Sequence, residues 1–208
     1  MHLSIVIPAF NEEQLILDCL NSIKVSVSAN AKPGFTHEVI VVDNNSSDKT
    51  AELATQAGAK VVFEPVNQIG RARNSGAAAA TGDWLLFVDA DSLLNPGMVT
   101  DILHMIESGK HVGCGSVMHM PGLPWWGNAA MRLWTMCSVT FHWASGALVV
   151  CRTDAFRDVG GFNQELFAAD EIDLSQREIA GQIFSVMFSP RKTLQDKKKL
   201  PIWYDGRR

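Results

Sequence analysis

Over residues 1–91, four short apolar runs alternate with segments patterned as helices, and this alternation limits the folds open to the chain. Residues 3–7 form the first run, closed by Pro8, and residues 38–42, 60–63 and 84–88 form the others. Each is continuous rather than alternating, as strands are when both sheet faces are covered. Between the first two runs, Ile16, Leu20, Ile23 and Val27 recur at helical spacing within residues 12–28. Ser46-Ser47-Asp48 is suited to cap a helix over residues 50–57 that stops at Gly58. An Ala-rich helix over residues 70–80 is closed by Gly82. A β-α-β-α-β-α-β order demands parallel pairing with right-handed crossovers. The expected class is therefore α/β, a Rossmann-like, mostly parallel central sheet flanked by helices.

Beyond Asp91 the pattern loosens. A helix is expected over residues 96–107, a glycine-bearing strand over 112–120 and a rigid aromatic loop over 121–127. A helix over 128–137, a strand over 147–151, a turn at Gly160-Gly161-Phe162, a helix over 170–180 and a strand over 183–188 follow. The chain of 208 residues is expected to be a single domain. Within it, residues 1–91 would form a ligand-binding half, 92–190 a second half and 191–208 a basic tail.

The net charge of -4 argues against non-specific nucleic-acid binding. Residues 191–208 depart from that balance, with seven Lys or Arg against two Asp, a net +5 suited to phosphate or an anionic membrane. The four cysteines, Cys19, Cys114, Cys137 and Cys151, form no C-x-x-C pair and read as reduced, buried and inert. His2 leads straight into a strand pattern that Pro8 ends too early for a signal-peptide core. The expected location is the cytoplasm, with peripheral contact at the inner face of the membrane open through residues 123–144 or the basic tail.

In a parallel α/β sheet, ligands bind outside the carboxyl ends of the strands. Asp89-Ala90-Asp91 stands directly after the run 84–88, and two carboxylates at such a rim suit a divalent metal and, through it, a diphosphate. Earlier strand ends and helix starts carry Ile7-Pro8-Ala9-Phe10-Asn11-Glu12, residues 41–48 and Arg71-Ala72-Arg73-Asn74. No G-x-G-x-x-G or P-loop pattern occurs. Arg71 and Arg73 lie in the first turns of a helix, where cations oppose the helix dipole, so pairing with phosphate or with Asp89 is expected. Asp170 and Glu171 are candidates for acid/base work as well as favourable acids at a helix start. Trp125, Trp126, Trp134, Trp143 and Phe141 are suited to stacking on sugars or to a membrane interface. Asn128, Arg132 and His142 within residues 123–144 exclude a spanning helix and leave an interfacial one.

Taken in order, these motifs resemble the family 2 glycosyltransferases, inverting nucleotide-sugar transferases of GT-A fold. The resemblance runs over residues 3–177 and includes Gly82-Asp83, Gly160-Gly161-Phe162 and Asp170-Glu171-Ile172-Asp173-Leu174. It implies a GT-A type sheet with a smaller acceptor-side region, and Mg²⁺ or Mn²⁺ as cofactor. Asp91 would be the more direct metal ligand, with Asp89 nearer the ribose. Pro8, Ala9 and Glu12 would wall the nucleoside pocket. Asp43 would accept from the imide N–H of the base, which favours UDP- or dTDP-sugars, and Arg71 or Arg73 would serve the donor site. The family commonly has Glu-Asp where this chain has Asp170-Glu171; motif position favours Glu171 as base, and side-chain chemistry allows either. The Gln-x-x-Arg-Trp signature of processive synthases is missing, so transfer of a single sugar is implied. The acceptor would be a glycan, a lipid carrier or a small metabolite. A sugar-nucleotide-forming nucleotidyltransferase, a non-catalytic nucleotide-sugar-binding module and a retaining transferase are the competing expectations.

Overall fold

The computed structural model describes residues 1–116, 123–141, 148–166, 170–179 and 184–187. The elements are β1 (His2–Ala9), α1 (Ile16–Ser28), β2 (Thr36–Asp43), α2 (Thr50–Gln56), β3 (Lys60–Phe63), α3 (Ile69–Ala79) and β4 (Trp84–Val88). They continue with α4 (Pro96–Ser108), β5 (Gly113–Ser116), α5 (Trp125–Phe141), β6 (Leu148–Arg152), α6 (Thr153–Asp158), α7 (Asp170–Ile179) and β7 (Phe184–Met187). One seven-stranded sheet has the order β3-β2-β1-β4-β6-β5-β7. The β1–β4 pairs are parallel, as the alternation demands, with Ile5 opposite Val39 on one side and Leu86 on the other. The departure lies at β6, which runs antiparallel to both β4 and β5.

Both faces of the central strands are covered, which is why their sequences do not alternate. From β1, Leu3, Ile5 and Ile7 pack on one face with Ile16, Cys19, Leu20 and Ile23 of α1 and Val99 and Ile102 of α4. Val6, with Val42, Leu85 and Phe87, points to the other face, against Ala72 and Ala77 of α3 and against Phe156, Phe162 and Leu174. Phe87, Phe156 and Phe162 meet with ring centroids 5.0–5.5 Å apart, each such pair adding about 0.5–1.5 kcal/mol beyond area burial. Gly76 lets α3 approach the sheet: a Cβ there would lie 2.3 Å from Val6 Cγ1.

Three expectations need correction. The first helix starts at Ile16, not residue 12, because Asn11 turns at φ 55° and Glu12 O accepts from Leu15 N and Ile16 N to make a tight entry turn. Trp125 and Trp126 do not lie in a loop but open α5, where Pro124 precedes the first turn and Asn128 Nδ2 donates back to Leu123 O at 2.8 Å. Among the cysteines, Cys19, Cys114 and Cys151 are buried, but Cys137 on α5 is partly exposed. The expected strand residues 117–120, residues His142 and Trp143, and the basic tail 191–208 lie outside the described residues.

Candidate active site

The chain leaves β1 and β4 side by side in the sheet but sends them into helices α1 and α4 after β2 and β3 have been laid on the far side of β1. The β1–β4 boundary is therefore where the strand order reverses, the place beyond the carboxyl ends at which open α/β sheets bind ligands. The segments after β1 and β2 are locked together there. Asn11 N donates to Ser46 Oγ (3.0 Å), Ser47 N donates to Asn11 Oδ1 (2.8 Å), and Glu12 N donates to Thr50 Oγ1 (2.8 Å). Asp48 accepts from Thr50 N and Glu13 N, the helix-capping role its position suggested, and these bonds hold its carboxyl below the usual range against some desolvation. Asp43, at the end of β2, is buried and its Oδ1 accepts from Ser46 N at 3.0 Å. Neighbouring Asn44 ties the strand end to the entry of α3, its Oδ1 accepting from Gln68 N.

Arg73, in the second turn of α3, is the centre of the site and is only 2% exposed. Its Nη2 donates to Asp89 Oδ1 at 3.0 Å and its Nη1 to Asp170 Oδ2 at 3.0 Å, with Glu171 Oε1 2.8 Å from Nη1. The guanidinium lies 5.2 Å from the centroid of the Phe162 ring, a cation–π contact. Burial works against the Arg73 cation, but Asp89, Glu171 and Asp170 outweigh it and hold the proton more tightly than usual. A cation that opposes the helix dipole is thus retained by three carboxylates.

Those carboxylates respond unequally. Burial pushes Asp89 up, with Arg73 pulling the other way and Asp91 and Asp170 adding to the rise. Burial pushes Asp170 up to about 6, with Arg73 opposing and the Glu171 carboxylate adding. Glu171 is the more open of the adjacent acids, its side chain 18% exposed against 4% for Asp170. Asp170 Oδ2 also lies 3.5 Å from where a Cβ on Gly70 would sit, so α3 and α7 pack closely around it.

Nearby, Cys19 Sγ lies 3.7 Å from Asp89 O. Its thiol is pushed up to about 12, first by burial and then by the fields of Asp89, Asp91 and Glu12. Among the described residues no group of three or more His, Cys, Asp and Glu is arranged to hold a metal by itself. The chemistry of the site nevertheless fits one. Two carboxylates, Asp89 and Asp91, supply hard oxygen donors, and a substrate diphosphate and water would complete the shell, as Mg²⁺ commonly requires.

The structure thus brings Arg73, Asp89, Asp170 and Glu171 together and leaves Arg71 apart. Arg71 Nε lies 3.6 Å from Glu64 Oε1, and Glu64 also takes the Ser75 hydroxyl at 2.6 Å. Three supporting groups escaped the sequence reading. Glu64 carried no motif. Phe162 was read only as a turn residue. Asn74 carries no role in the sequence pattern, although its side chain makes both hydrogen bonds to the backbone of Phe162. Arg177 steadies the same turn, donating to Val159 O and Gly161 O while Asp173 holds it at 2.7 Å.

Residues 4–154 match glycosyl transferase family 2, and the chain belongs to that family. An uncharacterized glycosyltransferase of Mycobacterium tuberculosis is 31% identical over 164 residues, covering 76% of this chain and 70% of the relative. The structure of S. aureus TarS in complex with UDP-GlcNAc superposes with a TM-score of 0.69 at 22% identity, covering 98% of this chain but 58% of that one. A mannosyltransferase from Pyrobaculum calidifontis, in complex with GDP-Man and Mn²⁺, gives 0.68 at 19% identity, covering 91% of this chain and 57% of that one. The shared fold is the GT-A fold of these glycosyltransferases.

Proposed function

We propose that the chain is a metal-dependent, inverting glycosyltransferase that moves a single sugar from a nucleotide-diphosphate donor to an acceptor hydroxyl. One observation carries this reading. Arg73 joins Asp89, at the end of β4, to Asp170 and Glu171, at the start of α7, so the metal-binding and proton-accepting candidates share one buried cation. The family membership supports the reaction class, and the metal and nucleotide sugars held by its structural relatives support the cofactor and donor class.

Asp91 and Asp89 would hold Mg²⁺ or Mn²⁺, which supplies Lewis-acid stabilisation to the leaving diphosphate, worth several kcal/mol. Pro8, Ala9 and Glu12 would border the nucleoside, and Asp43 would accept from the base. Glu171 is the general base. It is the more exposed acid, whereas Asp170 is buried and serves to place Arg73. Glu171 takes the proton of the acceptor hydroxyl as that oxygen bonds to the anomeric carbon. The carbon–oxygen bond to the diphosphate breaks on the opposite face, with inversion. Arg73 fixes Glu171 and Asp89 relative to each other, and so orients acceptor against donor. Arg71, paired with Glu64, is the outer candidate for phosphate. Within a single domain, residues 1–91 would bind the donor and 92–190 the acceptor, be it glycan, lipid carrier or small metabolite.

The test is a thermal-shift series with UDP, dTDP and GDP and their sugars, with and without Mn²⁺. A ligand that binds the native state raises its melting temperature by mass action. A rise for one nucleotide, larger with Mn²⁺ and lost in Asp91→Ala, is expected. A folded protein that no nucleotide stabilises would overturn the reading. Because the relatives hold both UDP- and GDP-sugars, the series also decides the base.

A further inference from the structure

Helix α5 turns much of its apolar surface outward. Among its described residues, Gly127 and Ser138 are buried, with Trp134 40% exposed on the same side. Trp125, Ala129, Leu133 and Met136, spaced i, i+4, i+8 and i+11, instead line the opposite face with Trp126 beside them. Trp125 is 82% exposed, Trp126 63%, and Leu133 and Met136 59% each. Scattered exposed apolar residues need no explanation, but a contiguous helical stripe led by two tryptophans marks a docking face.

Charge identifies what docks there. The chain has 22 acidic residues, yet between Glu107 and Asp154 there is none. Arg132, in the same interval, is exposed on α5 itself, and α5 carries no acid. The sequence after residue 190 adds a net +5. A protein partner would ordinarily meet mixed charge, whereas a helix that carries exposed tryptophans, one cation and no carboxylate matches the interface of an anionic bilayer. No helix among the described residues is long and apolar enough to cross a membrane. At 17 residues, α5 has the length and one-sidedness to lie in the headgroup plane.

We propose that α5 is a membrane-docking helix, which inserts its Trp125–Trp126–Leu133–Met136 face into the headgroup region of an anionic lipid surface. Docking would set the acceptor-side half of the protein against that surface. The inference does not depend on sugar transfer, because the readout requires neither nucleotide nor turnover.

The test uses the full chain with vesicles of phosphatidylcholine alone and of phosphatidylcholine mixed with phosphatidylglycerol. Co-sedimentation with the mixed vesicles and a blue shift of tryptophan emission are expected, with weaker partitioning onto the neutral ones. The double variant Trp125→Ser/Trp126→Ser, whose altered side chains are exposed, should keep its circular dichroism and lose about tenfold or more in partition coefficient. Arg132→Glu should weaken binding to the mixed vesicles only. If wild type stays in the supernatant with both, or partitions equally onto both, an anionic surface is excluded. A concentration-dependent dimer that disappears in the double variant would overturn the proposal in favour of a second copy of the chain.

Discussion

Arg73 ties distant segments together, because its two Nη arms hold Asp89 on one side and Asp170 and Glu171, far along the chain, on the other. Truncating it would leave three carboxylates facing one another at a buried site. Removing one partner of a buried pair costs about 3–5 kcal/mol. Arg73→Ala should therefore lower the free energy of unfolding by that order, measured as a fall in the urea midpoint. Arg73→Lys should recover part of it, since an ammonium keeps the charge but not the fork. A midpoint unchanged in both variants would show that the hub is not structural. Glu171→Gln tests the division of labour between the adjacent acids: turnover should fall about 10²–10⁴-fold with nucleotide affinity retained. If Asp170→Asn alone had that signature, the base would be Asp170. Acidity offers a third test. Folded Asp170 keeps its proton up to about 6, whereas its ordinary value is 3.8. Between those values the native state binds more protons than the unfolded one, so this group's contribution to stability falls as pH rises through the window. Wild type should lose stability relative to Asp170→Asn from about pH 4 to about pH 6–7. Parallel stability curves for the two proteins would refute this origin of the shift.

At the scale of elements, α3 shows how close packing and the candidate site share one helix. Its sheet-facing side is Ala72, Gly76 and Ala77, small enough for the helix to lie directly on β1 and β2 while Arg73 reaches that site. A methyl at Gly76 would lie 2.3 Å from Val6 Cγ1 and 2.8 Å from Val42 Cγ2, both on β-branched side chains with little freedom to turn away. Alanine's helix propensity gains about 1 kcal/mol, but overpacking costs about 1–3 kcal/mol. Gly76→Ala should therefore lower the thermal midpoint and weaken nucleotide binding by displacing Arg73. A more stable variant would mean that the helix can lift off without penalty. Elements like this were legible because local pattern and burial agree: β1 to β4 and α2 to α4 lie within a residue or two of where periodicity, caps and glycines put them. Where local pattern and environment disagree, reading failed. Trp125 and Trp126 beside two prolines read as a loop, since no rule of core-facing amphipathicity predicts a helix that turns its tryptophans outward. The antiparallel β6 could not be read either, because a short apolar strand carries no mark of its direction.

For the whole molecule, topology makes a site out of separated motifs. Strand order alone put Asp89 and Asp91 beside the segment after β1, so that side of the candidate site followed from the alternation of runs. The side formed by Asp170 and Glu171 did not follow. Arg73 and Asp170 are 97 positions apart, and no spacing rule joins them; the turn at Phe162, pinned by Asn74, is what returns the chain to α3. A physical consequence is that the β4 end and the first turn of α7 should respond to ligand together. Donor with Mn²⁺ would engage Asp89, and the bonds from Arg73 would pass that ordering to Asp170 and Glu171. In hydrogen exchange, adding the nucleotide that stabilises the protein, with Mn²⁺, should slow amides at residues 89–92 and at 170–173 in wild type. In Arg73→Lys the first set should still slow and the second should not, because a single ammonium cannot bridge both acids at the observed geometry. Protection confined to residues 89–92 in wild type would mean that the two halves bind independently, and would remove Arg73 as the element that aligns donor with acceptor.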